Sequence, residues 1–346
     1  MQHGQMPTAD ASSNLPRVHV FALGGTIAMA GRSGAAPHSG VVPRLDAGML
    51  VDAVPELGNV ARVTAHSFRQ LPGAHLRFAD LEALAGAIEA AQAAGADGVV
   101  VTQGTDTIEE TAFALDRLLA PALPVVVTGA MRNASVAGAD GPGNLLAAVR
   151  VAASPLARGS GCLVVMNDRI HAARFVRKLH THGPDAFASP QLGPIGWVAE
   201  DRVRIAAQLP PWPALARQSQ PEDSRVALVT LGFDDDGSML RCAGDQGCSG
   251  VVVAALGGGH CSPAAADAIG ALARHCDVVL ASRSGAGEVL QTTYGFTGSE
   301  IDLLGRGAVA AGWLDALKAR VLLSLLHRHG VRGPEAARAF SALATP

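Results

Sequence analysis

GVVVTQGTDTIEETAFALDRLLA, residues 98–120, changes its period half-way along. GVVVTQ is a short run of β-branched residues that stops at Gly104, the pattern of a strand buried on both faces. TIEETAFALDRLLA then places its apolar residues three and four apart, the pattern of a helix packed on one side. A strand that passes through a glycine into a helix is half of a βαβ unit, and the same grammar recurs in both directions from here. VHVFAL at 18–23 runs into Gly24 and Gly25, PVVVTGA at 124–130 precedes the helix pattern ADGPGNLLAAVRVAA at 139–153, and CLVVMND at 162–168 ends in polar residues. Further on, RVALVTLGF, GVVVAALGGG and DVVLASRSG repeat the pattern, and two helices close the chain between Leu314 and Ala344. The expected fold class is α/β: two α/β domains with largely parallel sheets, a larger N-terminal one at 17–207 and a smaller C-terminal one at 225–346. Residues 1–16 read as a disordered tail, and QLPPWPALARQSQPEDS at 208–224, rich in Pro and polar residues, reads as the linker.

Composition narrows the functional classes. With 346 residues, 49% of them hydrophobic and 16% charged, the chain can bury a large core and lacks the make-up of a disordered protein. A formal net charge of −3 without any basic run argues against a nucleic-acid partner. There is no apolar window of membrane-spanning length, and the start MQHGQMPTADASSNLPR has no charged and apolar leader regions, so a cytoplasmic protein without a membrane partner is expected. The five cysteines are odd in number and show neither a CxxC pair nor metal-ligand spacing, which fits a reduced protein without a metal centre.

In open parallel sheets ligands bind beyond the carboxyl ends of the strands. That rule selects Thr26, Thr105 with Asp106, Thr128 with Arg132, and Asn167 with Asp168. LGGTIA at 23–28 matches no phosphate-binding glycine pattern; it is either strand-to-helix punctuation or a flexible turn presenting Thr26 as a hydroxyl nucleophile. Thr107 and Glu110 have the spacing of a capping box, and Asp106 suits a helix N-terminus. Thr105 is not needed for capping and is free to activate or position a nucleophile if a base lies close. Lys178, in RFVRKLHTHG, is the candidate base, with Arg174 and Arg177 as neighbours that would lower its pKa; a solvated basic turn is the alternative. His171, His180 and His182 in the same stretch lack the spacing of a zinc site.

These segments together resemble the bacterial L-asparaginase family, the Thr-dependent amidohydrolases. The resemblance rests on LGGTIA, AVPEL at 53–57, VVVTQGTDTIEETAFALD at 99–116, PVVVTGAMR at 124–132, ADGPGNLLAAV at 139–149, CLVVMND, and ALKARVLLSLL at 316–326. It implies that Thr26 attacks the side-chain amide to form an acyl-enzyme and release ammonia, with Thr105, Asp106 and Lys178 as a second cluster that tunes Thr105 and places the attacking water. It further implies that Asp106 holds the substrate amino group, that backbone near Gly25, Gly104 and Thr105 contacts substrate and oxyanion, and that no cofactor is used. Homodimers or homotetramers, with each site completed by a neighbouring C-terminal domain, are implied as well.

Three departures bear on specificity. The family's lid carries a Tyr, whereas MAGRSGAAPHSGVVP at 29–43 has none, leaving His38 or Ser39 as possible proton carriers. Where the family grips the substrate carboxylate with Ser-Gln, this chain has Gly73 and Ala74, with His75 and Arg77 close by. Tyr294, the only Tyr, lies where the partner subunit's acidic residue is expected, with Glu288 and Glu300 as candidates, and GGGH at 257–260 lacks the usual Asn. Hydrolysis of asparagine or a related small amide is the expected activity. The same mechanism on a different amide, or a non-catalytic small-ligand-binding homologue, are the alternatives.

Overall fold

The computed structural model describes residues 14–31, 41–43, 46–120, 122–210 and 212–343. The first part of the chain runs through β1 (Arg17–Ala22), the antiparallel pair β2 (Met29–Gly31) and β3 (Val41–Pro43), α1 (Ala47–Asp52), β4 (Arg62–Ser67), α2 (Phe78–Ala93) and β5 (Gly98–Thr102). It continues with α3 (Ile108–Leu118), β6 (Val125–Thr128), α4 (Gly141–Ala153), β7 (Cys162–Met166), β8 (Arg169–Ala172), the short pair β9 (Arg177–Lys178) and β10 (Phe187–Ala188), β11 (Gly196–Ala199) and β12 (Arg202–Ile205). One eight-stranded sheet has the order β12-β11-β8-β7-β6-β5-β1-β4. The five strands from β4 to β7 are mutually parallel, and β8, β11 and β12 extend the sheet antiparallel.

The valines of β5 and β6 are wholly buried, because helices cover both faces of the parallel part; this is why those strands are written as unbroken apolar runs. The change to antiparallel pairing comes at Asn167 and Asp168, both at positive φ (50° and 58°), which form a two-residue turn between β7 and β8. These two residues are therefore turn formers, a correction to their selection as site candidates. Thr128 is likewise structural: it is buried, and its hydroxyl donates to Val165 O at 2.7 Å.

The second part contains β13 (Val226–Thr230), α5 (Ser238–Asp245), β14 (Gly250–Ala255), α6 (Pro263–Leu272), β15 (Asp277–Ser282), α7 (Glu300–Gly305), β16 (Val309–Ala310), α8 (Ala316–Arg328) and α9 (Pro334–Leu343). Its four strands form one parallel sheet in chain order. Two α/β domains are thus present, the larger with a mixed sheet. Of the described residues in 206–225 none lies in a strand or helix, yet the segment is anchored: Trp212 stacks against the guanidinium groups of Arg117 and Arg174 at 4.6 and 4.2 Å. The domains are also joined directly, Arg328 of α8 donating two hydrogen bonds to the Glu82 carboxylate of α2 at 2.8 and 2.9 Å. Among the described residues all five cysteines are free, and no helix is long and apolar enough to cross a membrane.

Candidate active site

The carboxyl ends of β1 and β5 bring two glycine turns together. Leu23 N–H donates to Thr102 O at 2.8 Å, which continues the pairing of the two strands past their ends. Gly24 and Gly25 then take φ of 103° and 84°, a backbone region that disfavours any side chain. A methyl group on Gly25 would collide with the backbone N and Cα of Gly104. Thr26 and Thr105 each follow directly on one of these touching glycines, and each opens a 3₁₀ turn, Thr26–Ala28 and Thr105–Thr107. The third approach is Gly73, where an added Cβ would lie 3.1 Å from Gly104 O and 3.1 Å from Thr107 Oγ1.

Lys178 reaches this point from β9. Its Nζ donates to Thr105 Oγ1 at 3.0 Å and to Asp106 Oδ1 at 2.7 Å. Thr105 is buried, the Lys178 side chain is 14% exposed and that of Asp106 is 74% exposed. The cation is thus held against a hydroxyl on the protein side, while the carboxylate keeps an open, solvent-facing side. The arginines expected beside Lys178 point elsewhere. Arg174 lies over Trp212, and Arg177 Nε stands 4.0 Å from Glu109 Oε2. The group paired with the lysine is acidic, which corrects the expectation of a positive neighbourhood.

The capping-box expectation also fails. Thr107 is the N-cap of α3 by backbone position but makes no side-chain cap; its hydroxyl donates to Gly73 O at 3.2 Å and receives Gln103 Nε2 at 3.3 Å. The preceding 3₁₀ turn explains this, because it spends Thr107 on tying the Gly73 turn to the Gly104 turn instead of on its own helix. Arg132, another candidate, donates to Gly138 O at 3.1 Å and shapes its own loop. His171 is buried with Nδ1 2.9 Å from Ser189 Oγ, while His180 and His182 lie edge to face at 4.6 Å, so the three do not converge. Gly73 is buried and Ala74 exposed. His38 and Ser39 lie outside the described residues.

Tyr294 sits in the C-terminal domain with its ring against His260 (5.0 Å) and Phe296 (6.0 Å). Glu300 is fully buried beneath them and accepts from the backbone N–H groups of Thr293 and Tyr294 and from the His260 ring. Burial alone would raise the Glu300 pKa, but these donors outweigh it and hold the carboxyl below its ordinary range. Glu300 is therefore consumed by its own loop, whereas Glu288 is exposed.

A buried cluster behind Lys178 escaped the sequence reading. Lys318 of α8 is fully buried, and its Nζ donates to Val176 O at 2.7 Å, Asp315 Oδ2 at 2.7 Å and Glu109 Oε2 at 3.5 Å. Glu109 in turn accepts the backbone N–H of Lys178 at 3.2 Å through its other oxygen. Burial raises the Glu109 pKa against the pull of Lys318, whereas Asp315, also opposed by burial, is held below its ordinary value chiefly by Lys318. The signal available in the sequence was a lysine on the apolar side of the helix ALKARVLLSLL.

Comparison with known proteins agrees with this architecture. Residues 17–211 match the asparaginase N-terminal family and residues 225–340 the glutaminase/asparaginase C-terminal domain. The chain belongs to the asparaginase family. It is 38% identical to a probable L-asparaginase of Deinococcus radiodurans over 95% of this chain and 98% of the relative. L-asparaginase 2 of Bacillus subtilis is 36% identical over 92% of this chain and 84% of its own. A solved structure, a probable cytoplasmic L-asparaginase from Campylobacter jejuni, superimposes with a TM-score of 0.82 at 29% identity, covering 94% of this chain and 98% of that one. As an asparaginase-family amidohydrolase, the chain has its glycine turns and its lysine pair at the carboxyl end of the parallel strands, where α/β folds place their ligands.

Proposed function

We propose that this amidohydrolase cleaves the side-chain amide of asparagine, or of a related small amide, to the acid and ammonia through an acyl-enzyme on Thr26. The observation that carries the reading is the Lys178 ammonium bridging Thr105 and Asp106 beside the Gly25–Gly104 contact. In the first step Thr26 Oγ bonds to the amide carbon, backbone N–H groups near Thr105 receive the negative oxygen, and the C–N bond breaks as nitrogen gains a proton. In the second step a water placed by Thr105 adds to the acyl carbon and the Thr26 C–O bond breaks, returning the hydroxyl. Lys178 holds Thr105 as an acceptor and offsets charge during both steps, and Asp106 pairs with the substrate ammonium. The chemistry needs no cofactor.

Two small residues, Gly73 and Ala74, favour a second reading in which the same steps act on a different amide. Neither offers a side-chain hydrogen bond, and a site's hydrogen-bonding groups decide which polar substrate it rejects. Ammonia release from L-Asn, L-Gln, D-Asn and N-substituted amides separates the two. Preference for L-Asn supports the first reading, preference for another amide the second, and binding without release from any amide would leave only a ligand-binding homologue.

The reading includes a cytoplasmic homodimer or homotetramer in which a neighbour's C-terminal domain closes the site. Supporting it are the outward aromatic rings of that domain, Tyr294 and Phe296 lying 6.0 Å apart at 45% and 50% exposure.

A further inference from the structure

Between α2, α3, α8 and the segment before β13 lies a cleft of about 520 Å³, with both members of the Thr107–Gly73 tie in its wall. Its lining includes Gly73, Arg77, Thr107, Glu110, Arg320 and Arg328. The volume is in the range of small-molecule sites. Thr107, Glu110 and Thr111 come from one face of α3, three and four residues apart, so the cleft wall is a continuous polar strip.

The charges of this wall divide into used and unused groups. Arg328 is spent on Glu82 and on Asp223 at 3.2 Å, and Asp80 is spent on Arg69 at 2.8 Å. Arg320 donates Nε to Val226 O at 3.1 Å, which leaves its two terminal nitrogens for a ligand. Among the described residues no carboxylate stands within ion-pair distance of Arg320 or Arg77, and no cation stands that close to Glu110. Burial, reinforced by the neighbouring Glu109 carboxylate, pushes Glu110 up to about 6 against the weaker pull of Arg320 and Lys318. Arg320 and Glu110 are half-buried, and such charges are costly unless something pairs with them, whereas Arg77 is exposed at the rim.

We propose that the cleft binds an acidic α-amino acid, its two carboxylates meeting Arg320 and Arg77 and its ammonium meeting Glu110. Two guanidinium groups and one carboxylate complement a ligand with two carboxylates and one ammonium, and bidentate guanidinium–carboxylate pairing supplies the geometry. A neutral amino acid would leave one arginine unmatched, and a simple dicarboxylate would leave Glu110 facing like charge. The bound ligand also touches Thr107, the last residue of the turn that opens at Thr105, while Thr105 and Asp106 themselves lie outside the cleft's lining. The assignment stands on the cleft's own charges, whether or not Thr26 performs the proposed hydrolysis.

Isothermal titration of the full chain with L-glutamate and L-aspartate, with L-norvaline as the neutral comparison, tests this. The wild type should bind both acids in preference to L-norvaline. Affinity should fall about tenfold in Glu110→Gln and in Arg320→Gln, the loss expected for one charge-assisted pair, and by a smaller factor in Arg77→Gln, whose exposed position puts folding at no risk. Asp106→Ala should bind the acids at the cleft as the wild type does. No binding of either acid would overturn the proposal. So would affinity unmoved by the three cleft variants but abolished in Asp106→Ala, because the acids would then occupy only the Thr26 site.

Discussion

The Gly25–Gly104 contact leaves no room for a side chain. A side chain at Gly25 meets two obstacles at once, a positive φ that costs about 1–3 kcal/mol and a backbone already in the way. Gly25→Ala is therefore expected to lower the unfolding temperature and remove turnover together, measured by thermal unfolding and ammonia release. Lys178→Met separates the two properties. Its main partner Asp106 is largely exposed, so stability should change little, while kcat should fall about 10²–10⁴-fold. Buried His171 gives a pH signature independent of catalysis. Burial lowers its pKa from 6.5 to about 4, so the unfolded chain takes up a proton that the folded one refuses as pH falls through this window. Its contribution to stability should decline by about 3 kcal/mol between those limits. Urea unfolding at several pH values should show a shallower acid-side loss in His171→Gln. At this scale the meeting of Lys178 with Thr105 and Asp106 was legible, because those two follow a strand end marked by glycine and the lysine was the basic residue sought for them. The second use of Thr107 was not, because a hydroxyl three residues before Glu110 is written the same way whether it caps a helix or ties two turns.

At the scale of elements, β9 is two residues long, and its position depends on what grips it. Glu109 of α3 holds the Lys178 backbone, and Lys318 of α8 holds both Glu109 and the Val176 carbonyl, so a helix of the C-terminal domain fixes the strand that presents the proposed active-site lysine. Removing one member of a buried ion cluster leaves the others uncompensated. Lys318→Met should destabilise the protein by about 3–5 kcal/mol in denaturant unfolding, and adding Glu109→Gln should recover part of that loss. The long elements were legible because buried parallel strands are continuous apolar runs and α3 has a clear helical period. Short β8 to β12 were not, since two to four residues carry no period and their pairing is set by the Asn167–Asp168 turn and by contacts distant in sequence.

For the whole molecule, the order of two α/β domains was legible from the repeated strand-glycine grammar on either side of the Pro-rich segment. What faces what was less so: Arg328 and Glu82, which clamp the domains, lie 246 residues apart in the chain. Tyr294 and Glu288 belong to the C-terminal domain, and in the proposed assembly they serve a neighbour's Thr26. Mixing inactive Thr26→Ala and Glu288→Gln chains should then restore ammonia release, because some sites in the mixed oligomer combine two intact halves; no recovery in verified mixed oligomers would count against sharing. The central claim is the Thr26 acyl-enzyme. Its most direct measurement is acid quenching of Thr105→Val enzyme during turnover, followed by peptide mass spectrometry, since weakened water placement should let the intermediate accumulate. The account predicts an acyl adduct on the peptide containing Thr26, absent in Thr26→Ala. An adduct on another residue, or full ammonia release by Thr26→Ala, would contradict it.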